Sequence, residues 1–166
     1  MREAIRDWIQ HLPLPEPVLV ILIAMTPILE LRGAIPFAQG IFNMSAMSAF
    51  WWSVLGNMIP VPIILWLFPG FVSWADDHWP WIHRLMVKLQ HRTDTKYSDR
   101  FERLRDFALI TFVAIPLPIT GAWSGSLAAV VFGVDKKRAI PLIFVGVIIA
   151  GIIVSLTFEA LGLAVT

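Results

Sequence analysis

The chain has 166 residues, 57% hydrophobic and 15% charged, with a formal net charge of +1 and no cysteine. Soluble domains carry about 25% charged and roughly 45–50% apolar residues, so the composition excludes an ordinary soluble domain and, by its hydrophobicity, a disordered one. The missing cysteine excludes disulfide and thiolate chemistry and the near-neutral balance argues against nucleic-acid binding, which leaves an integral membrane protein.

Ile5, Trp8, Ile9 and Leu12 recur at helical spacing opposite Arg2, Glu3, Arg6, Asp7 and Gln10. This predicts an interfacial amphipathic helix within residues 1–17, closed by Pro13, Pro15 and Pro17. Residues 17–75 hold only two charges, Glu30 and Arg32. Residues 18–42 form two short apolar arms around Pro27, Glu30, Arg32, Gly33, Pro36 and Gly40. A spanning helix needs about 20 apolar residues, and each arm is shorter. Two short helices meeting at Pro and Gly predict a re-entrant hairpin, the alternative being one kinked spanning helix. Residues 44–75 are long enough for a transmembrane helix, with kinks expected at Pro60, Pro62 and Pro69.

The polar linker 76–106 holds seven Lys/Arg and six Asp/Glu. Trp81, Ile82, Leu85, Met86 and Leu89 predict one linker helix. Phe101, Leu104 and Ala108 predict a second, capped by Ser98 or Asp99. Trp74, Trp79 and Trp81 fit an interfacial aromatic belt. His83 and His91 are two turns apart with no acidic partner repeating near them, so they and His78 read as solvated side chains, not metal ligands. Residues 107–134 are uncharged and broken at Pro116, Pro118, Thr120, Gly121, Ser124 and Gly125, which predicts a second re-entrant hairpin. Residues 139–166, charged only at Glu159, predict a second transmembrane helix.

Gly33-Ala34 matches Gly121-Ala122, Gly56 matches Gly146 and Phe68 matches Phe158, once a two-residue insertion is allowed. The expected fold is therefore all-α, one membrane domain: an interfacial helix (1–17), a first repeat of hairpin plus transmembrane helix (18–75), a cytoplasmic helical linker (76–106) and a second repeat (107–166). With each hairpin returning to its own side, ten Lys/Arg share one face against Arg2 and Arg6 on the other. The positive-inside rule then places the linker in the cytoplasm and both termini outside, an inverted repeat. A four-span chain passes the same rule, with nine basic residues inside against three, but the broken centres favour hairpins.

Inverted repeats with discontinuous helices are a transporter pattern, with substrate near the bilayer midplane. Residues 27–36 and 116–125 are the candidate tips. A charge at that depth costs at least ~2.5–3.5 kcal/mol, which marks Glu30 and Arg32 as functional candidates. Glu30 can carry a proton, because desolvation disfavours the carboxylate. The Arg32 fork suits phosphate or carboxylate. At i, i+2 the two would point apart on a continuous helix; a structural pair across the break is the competing role. The run Pro116 to Gly121 cannot be continuous helix and leaves backbone groups free, joined by the Ser124 hydroxyl and the Trp123 ring. Asn57 is a site residue or interhelical glue, and Glu159 a cavity-facing group or a proton relay. No metalloprotease, nucleophile-elbow or phosphate-loop motif occurs, so neither an enzyme nor a bound cofactor or metal is expected.

Glu30-Leu31-Arg32-Gly33-Ala34-Ile35-Pro36, Gly56-Asn57 with Pro60, and Ala114-Ile115-Pro116-Leu117-Pro118-Ile119-Thr120-Gly121-Ala122-Trp123-Ser124-Gly125 resemble the small multi-drug export protein family, itself similar to the DedA/VTT superfamily of membrane transporters. Ile119 departs from the resemblance, which leads one to expect Gly there. The resemblance implies facing re-entrant helices, Glu30 as proton-coupling carboxylate, Arg32 as anion contact, and a second tip at Pro116, Pro118, Thr120 and Gly121. The expected activity is that of a small secondary transporter of a bacterial-type inner membrane, moving an amphipathic substrate such as an anionic lipid phosphate. Proton-driven export of hydrophobic drugs and a non-transporting membrane scaffold are the alternatives. The expected partners are the bilayer, protons and, because one protomer encloses little volume, a second copy.

Overall fold

A computed structural model describes residues 14–78, 99–117 and 120–162. The stripe of the amphipathic N-terminal helix and the linker helix at Trp81–Leu89 lie outside them. The described chain consists of α1 (Glu16–Met25), α2 (Glu30–Gly40), α3 (Ala46–Met58), α4 (Pro60–His78), α5 (Asp99–Ala114), α6 (Ala122–Val131) and α7 (Lys136–Ala160). It divides into two compact units, Met1–Ile59 with Val147–Thr166, and Pro60–Gly146.

Two stretches are long and apolar enough to cross a bilayer: Ala46–Trp74 and Lys136–Ala160, with mean hydropathies of 1.7 and 2.8. The others are short. At 1.5 Å rise per residue, the ten or eleven residues of α1, α2 and α6 extend about 15–17 Å, half of a ~30 Å hydrocarbon core. Proline acts as expected at one of three positions. The Ile59 N–H bonds the Gly56 carbonyl at 3.3 Å, a tight turn that ends α3, and Pro60 opens α4. Pro62 falls in the first turn of α4, where a missing N–H is harmless. Pro69 lies inside α4, which runs on past it.

The first unit is packed through small side chains. Ala24, Ala34, Ala38 and Ala49 are fully buried, with Val20 and Phe42. α1, α2 and α3 all pack on one another. A Cβ on Gly56 would lie 2.5 Å from the Ile21 carbonyl oxygen and 2.8 Å from the Ala24 Cβ, so only glycine lets α3 approach α1 this closely. Large apolar groups such as Leu22, Trp51, Leu55 and Leu156 are exposed, while Glu30, Gln39, Ser53 and Asn57 are buried. This inside-out distribution suits lipid around the unit and small-residue contacts within it.

In the second unit α6 packs on α4 and α5. α5 begins at Asp99, so the second linker helix and the first arm of the second hairpin are one continuous helix. Gly125 of α6 and Gly146 of α7 both rest on Val113 of α5. A Cβ on Gly146 would lie 2.6 Å from the Val113 Cβ and 3.0 Å from the Ile110 carbonyl oxygen. The long helix of each unit thus carries a glycine against the carbonyl of a short-arm helix and against the side chain three residues on. α6 ends in a left-handed Gly133, with Val134 N–H bonded to the Ala129 carbonyl at 2.8 Å. Asp135 then caps α7 by accepting from Lys137 N–H at 2.9 Å. Arg138 ties α7 to α5, reaching Glu102 and Asp106 at 2.6 Å each.

Candidate functional site

The first broken centre is built by Thr26. Its hydroxyl donates to the Ile23 carbonyl at 2.8 Å and accepts from Leu29 N–H at 3.3 Å, so one side chain closes α1 and supports the turn. Glu30 N–H then bonds the Thr26 carbonyl at 3.1 Å and α2 begins. Glu30 itself is left-handed, with φ of 48°. That conformation costs a residue with a Cβ about 1–2 kcal/mol. Leu29 lies over residue 33, where an added Cβ would be 2.9 Å from the Leu29 Cβ, and so position 33 suits glycine.

The left-handed turn changes where the two charges go. On a continuous helix Glu30 and Arg32 would diverge; instead Arg32 Nη2 lies 3.5 Å from Glu30 Oε2. The side chains are 7% exposed for Glu30 and 19% for Arg32. The pair is therefore mutual, with Glu30 buried and Arg32 partly buried; of the two arrangements open in the sequence, apart on a continuous helix or together across a break, the chain adopts the second. Pro36 lies inside α2, partly buried, beyond this pair.

α2 and α3 are joined by the short loop 41–45, where left-handed Asn43 turns the chain and Ser45 caps α3 through Ser48 N–H at 3.3 Å. Counting equal rises outward from that loop brings Glu30 level with Gly56 and its neighbour Asn57. Asn57 is fully buried, and neither its Nδ2 nor its Oδ1 has a hydrogen-bond partner. Ser53, one turn earlier on the same face of α3, is also fully buried with its hydroxyl unpartnered. Gln39, 2% exposed on α2, has its Nε2 unpartnered. Thr26, Ser53 and Gln39 escaped sequence reasoning. The available signal was a lone polar residue inside an apolar run, and for Ser53 its i, i+4 spacing from Asn57.

The second broken centre is organised by Thr120. Its hydroxyl donates to the Ile115 carbonyl at 2.6 Å, contacts the Leu117 carbonyl at 2.9 Å and accepts from Leu117 N–H at 3.1 Å. Gly121, with φ of 146°, caps α6 in a conformation that favours glycine. Pro116 is partly buried beside it; Pro118 and Ile119 lie outside the described residues. Trp123 and Ser124 stand partly buried in the first turn of α6, with the Ser124 hydroxyl 3.5 Å from the Gly121 carbonyl oxygen. No ionisable side chain occurs from residue 107 to 134. Glu159 is exposed in the last turn of α7, and exposed His78 stacks on Trp74 at 4.7 Å.

The chemistry on hand is thus concentrated in the first unit: a carboxylate–guanidinium pair at a helix break, its carboxylate buried and its guanidinium partly so, with unpartnered amide and hydroxyl groups on α2 and α3. A family model described as putative small multi-drug export protein matches residues 30–153, well over half of the chain. No curated protein and no solved structure matches.

Proposed function

We propose that this chain, which belongs to the small multi-drug export protein family, is a small secondary transporter of the inner membrane that exposes one site alternately to either side. The family description and two apolar helices of spanning length support a membrane protein of the transport type. Glu30 carries the coupling proton and Arg32 contacts an anionic group of an amphipathic substrate. The single observation behind this assignment is the Glu30–Arg32 pair, 3.5 Å apart at a helix break in a segment with no other charge from residue 17 to 75. Glu30 combines a left-handed backbone with a buried charge. Such strain persists at sites where it has a use.

An intramembrane guanidinium favours a lipid phosphate as the substrate head. Proton-driven export of hydrophobic drugs is the second reading, favoured by the family description; there Glu30 would meet the cation and Arg32 would serve as its resting counter-ion. In both readings Asn57 belongs to this site, Pro116, Pro118, Thr120, Gly121, Trp123 and Ser124 make up the second proposed tip, and Glu159 is a relay at most. The linker is cytoplasmic, both termini lie outside, the two halves form an inverted repeat of re-entrant hairpins, and two copies assemble.

The test is flux in reconstituted vesicles with an imposed pH gradient, using a fluorescent lipid phosphate in one set and a hydrophobic cation in the other. Glu30→Gln should abolish proton-dependent flux, and Arg32→Ala should raise the substrate concentration needed. Removing one partner of a buried pair costs ~3–5 kcal/mol, so each single variant risks misfolding. The double variant Glu30→Gln/Arg32→Met removes both charges, should keep the fold, and should still transport nothing. Wild-type flux in that double variant would overturn the assignment and leave a scaffold.

A further inference from the structure

The second unit holds a feature that the transport site does not use. Between α5 and α6 lies a cavity of about 480 Å³. Its walls are apolar, with Leu104, Ala108 and Phe112 from α5 and Ala128 and Phe132 opposite, and it has one charged lining residue, Arg105. Arg105 is poorly engaged. Its Nη1 reaches the Phe132 carbonyl only at 3.5 Å, and its buried Nε has no hydrogen-bond partner. A buried polar N–H left unmade costs ~1–3 kcal/mol, more when charged. The nearest carboxylates on the same helix, Glu102 and Asp106, both bind Arg138. Asp135 caps α7, and Lys136 and Lys137 add positive charge just beyond Val134 in the cavity wall.

Depth along the helix completes the picture. α5 is charged up to Asp106 and uncharged from Phe107 onward. Arg105 therefore stands where the helix passes from the interface into hydrocarbon, the level of lipid phosphates. Below it the cavity offers an apolar slot, and beside it the charge is positive in excess among the described residues. We propose that this cavity is a resident-lipid site: it takes an acyl chain of an anionic phospholipid whose phosphate sits on Arg105. Lipid head groups are held in this way by basic pockets between membrane helices. The site needs no transport by the protein, and its test reads binding alone.

The full chain, purified in detergent with equal phosphatidylglycerol and phosphatidylcholine, is examined by native mass spectrometry for lipid retained per protomer. Wild type should retain phosphatidylglycerol in preference, and Arg105→Gln should lower that retention by about tenfold, the worth of one charge-assisted contact. Arg105→Lys should keep part of it, since lysine still meets phosphate as a point charge. Ala108→Phe, at an exposed position, should fill the slot and reduce retention of both lipids. If that variant fails to fold, Leu104→Gln at another exposed wall position gives the same reading. Equal retention of the two lipids by wild type, or unchanged retention in Arg105→Gln, overturns the proposal. So does a lipid-free dimer that Ala108→Phe dissociates, which would assign the cavity to a second copy of the chain.

Discussion

Asn57 is fully buried with both ends of its amide unpartnered, and Ser53 one turn away leaves its hydroxyl unpartnered too. Ser155 in α7 is in the same state, but three other helical hydroxyls behave differently. Thr111, Ser126 and Thr157 each donate to the carbonyl four residues back, at 2.7–2.8 Å. Self-satisfaction of that kind is the ordinary solution in an apolar helix, and Ser53 lacks it. Leaving a buried polar group unmade costs ~1–3 kcal/mol, whereas an apolar group of similar shape has no such cost. Asn57→Leu is therefore expected to raise stability by about 1–3 kcal/mol in thermal unfolding of the purified protein while cutting transport at least tenfold. A marked loss of stability would instead make Asn57 interhelical glue.

Two glycines hold the long helices to the short ones. Gly56 meets Ile21 and Ala24 across α3 and α1, and Gly146 meets Ile110 and Val113 across α7 and α5. Gly56→Ala puts a methyl 2.5 Å from a backbone oxygen that cannot rotate away. Gly146→Ala meets the Val113 Cβ at 2.6 Å. Each should destabilise by about 1–3 kcal/mol, as overpacking does. Gly70, in α4 with nothing within 4 Å of an added Cβ, is the control. Gly70→Ala should be stabilising by roughly 0.5–1 kcal/mol, because helical glycine costs conformational entropy. Melting curves of the three variants in one detergent check all of these together. The spacing of Gly56 and Gly146 was legible in the sequence, and so were the break after Thr26 as a Pro27 signal and the second break as Pro116 and Gly121 signals, because these are local patterns; Gly33 and Pro36, read as part of the first break, lie inside α2. The contact that makes those glycines necessary was not legible, since it lies over thirty residues away along the chain. The Glu30–Arg32 pairing was open in the sequence as a pair across the break, but the left-handed φ at Glu30 that accompanies it was not, since no neighbouring residue type announces it. The start of α5 at Asp99 was legible from its capping residue, but its continuation into the first arm of the second hairpin was not, because its first turns are charged and its last turns apolar, so one helix read as two.

At the scale of the whole molecule, element lengths bear directly on how the chain crosses the bilayer. α1, α2 and α6 each reach about half the hydrocarbon thickness, while Ala46–Trp74 and Lys136–Ala160 exceed it. Two complete crossings and two returning hairpins put the linker and the start of α7 on one side. Four crossings would put them on opposite sides. Charge counts do not separate the two, because both arrangements satisfy the positive-inside rule. A chain without cysteine allows a direct measurement. Cysteine is placed singly at residue 90 in the linker and at exposed residue 137 in the first turn of α7, and membrane-impermeant maleimide is applied to right-side-out and inverted vesicles. Both positions should label only in inverted vesicles, which expose the cytoplasmic face. Labelling of the two positions from opposite sides would reject the re-entrant hairpins and the inverted repeat with them. The outcome also bears on the Glu30–Arg32 pair: at the tip of a returning hairpin it has a route to water from one side, whereas within a complete crossing a partner helix would have to shield it from lipid.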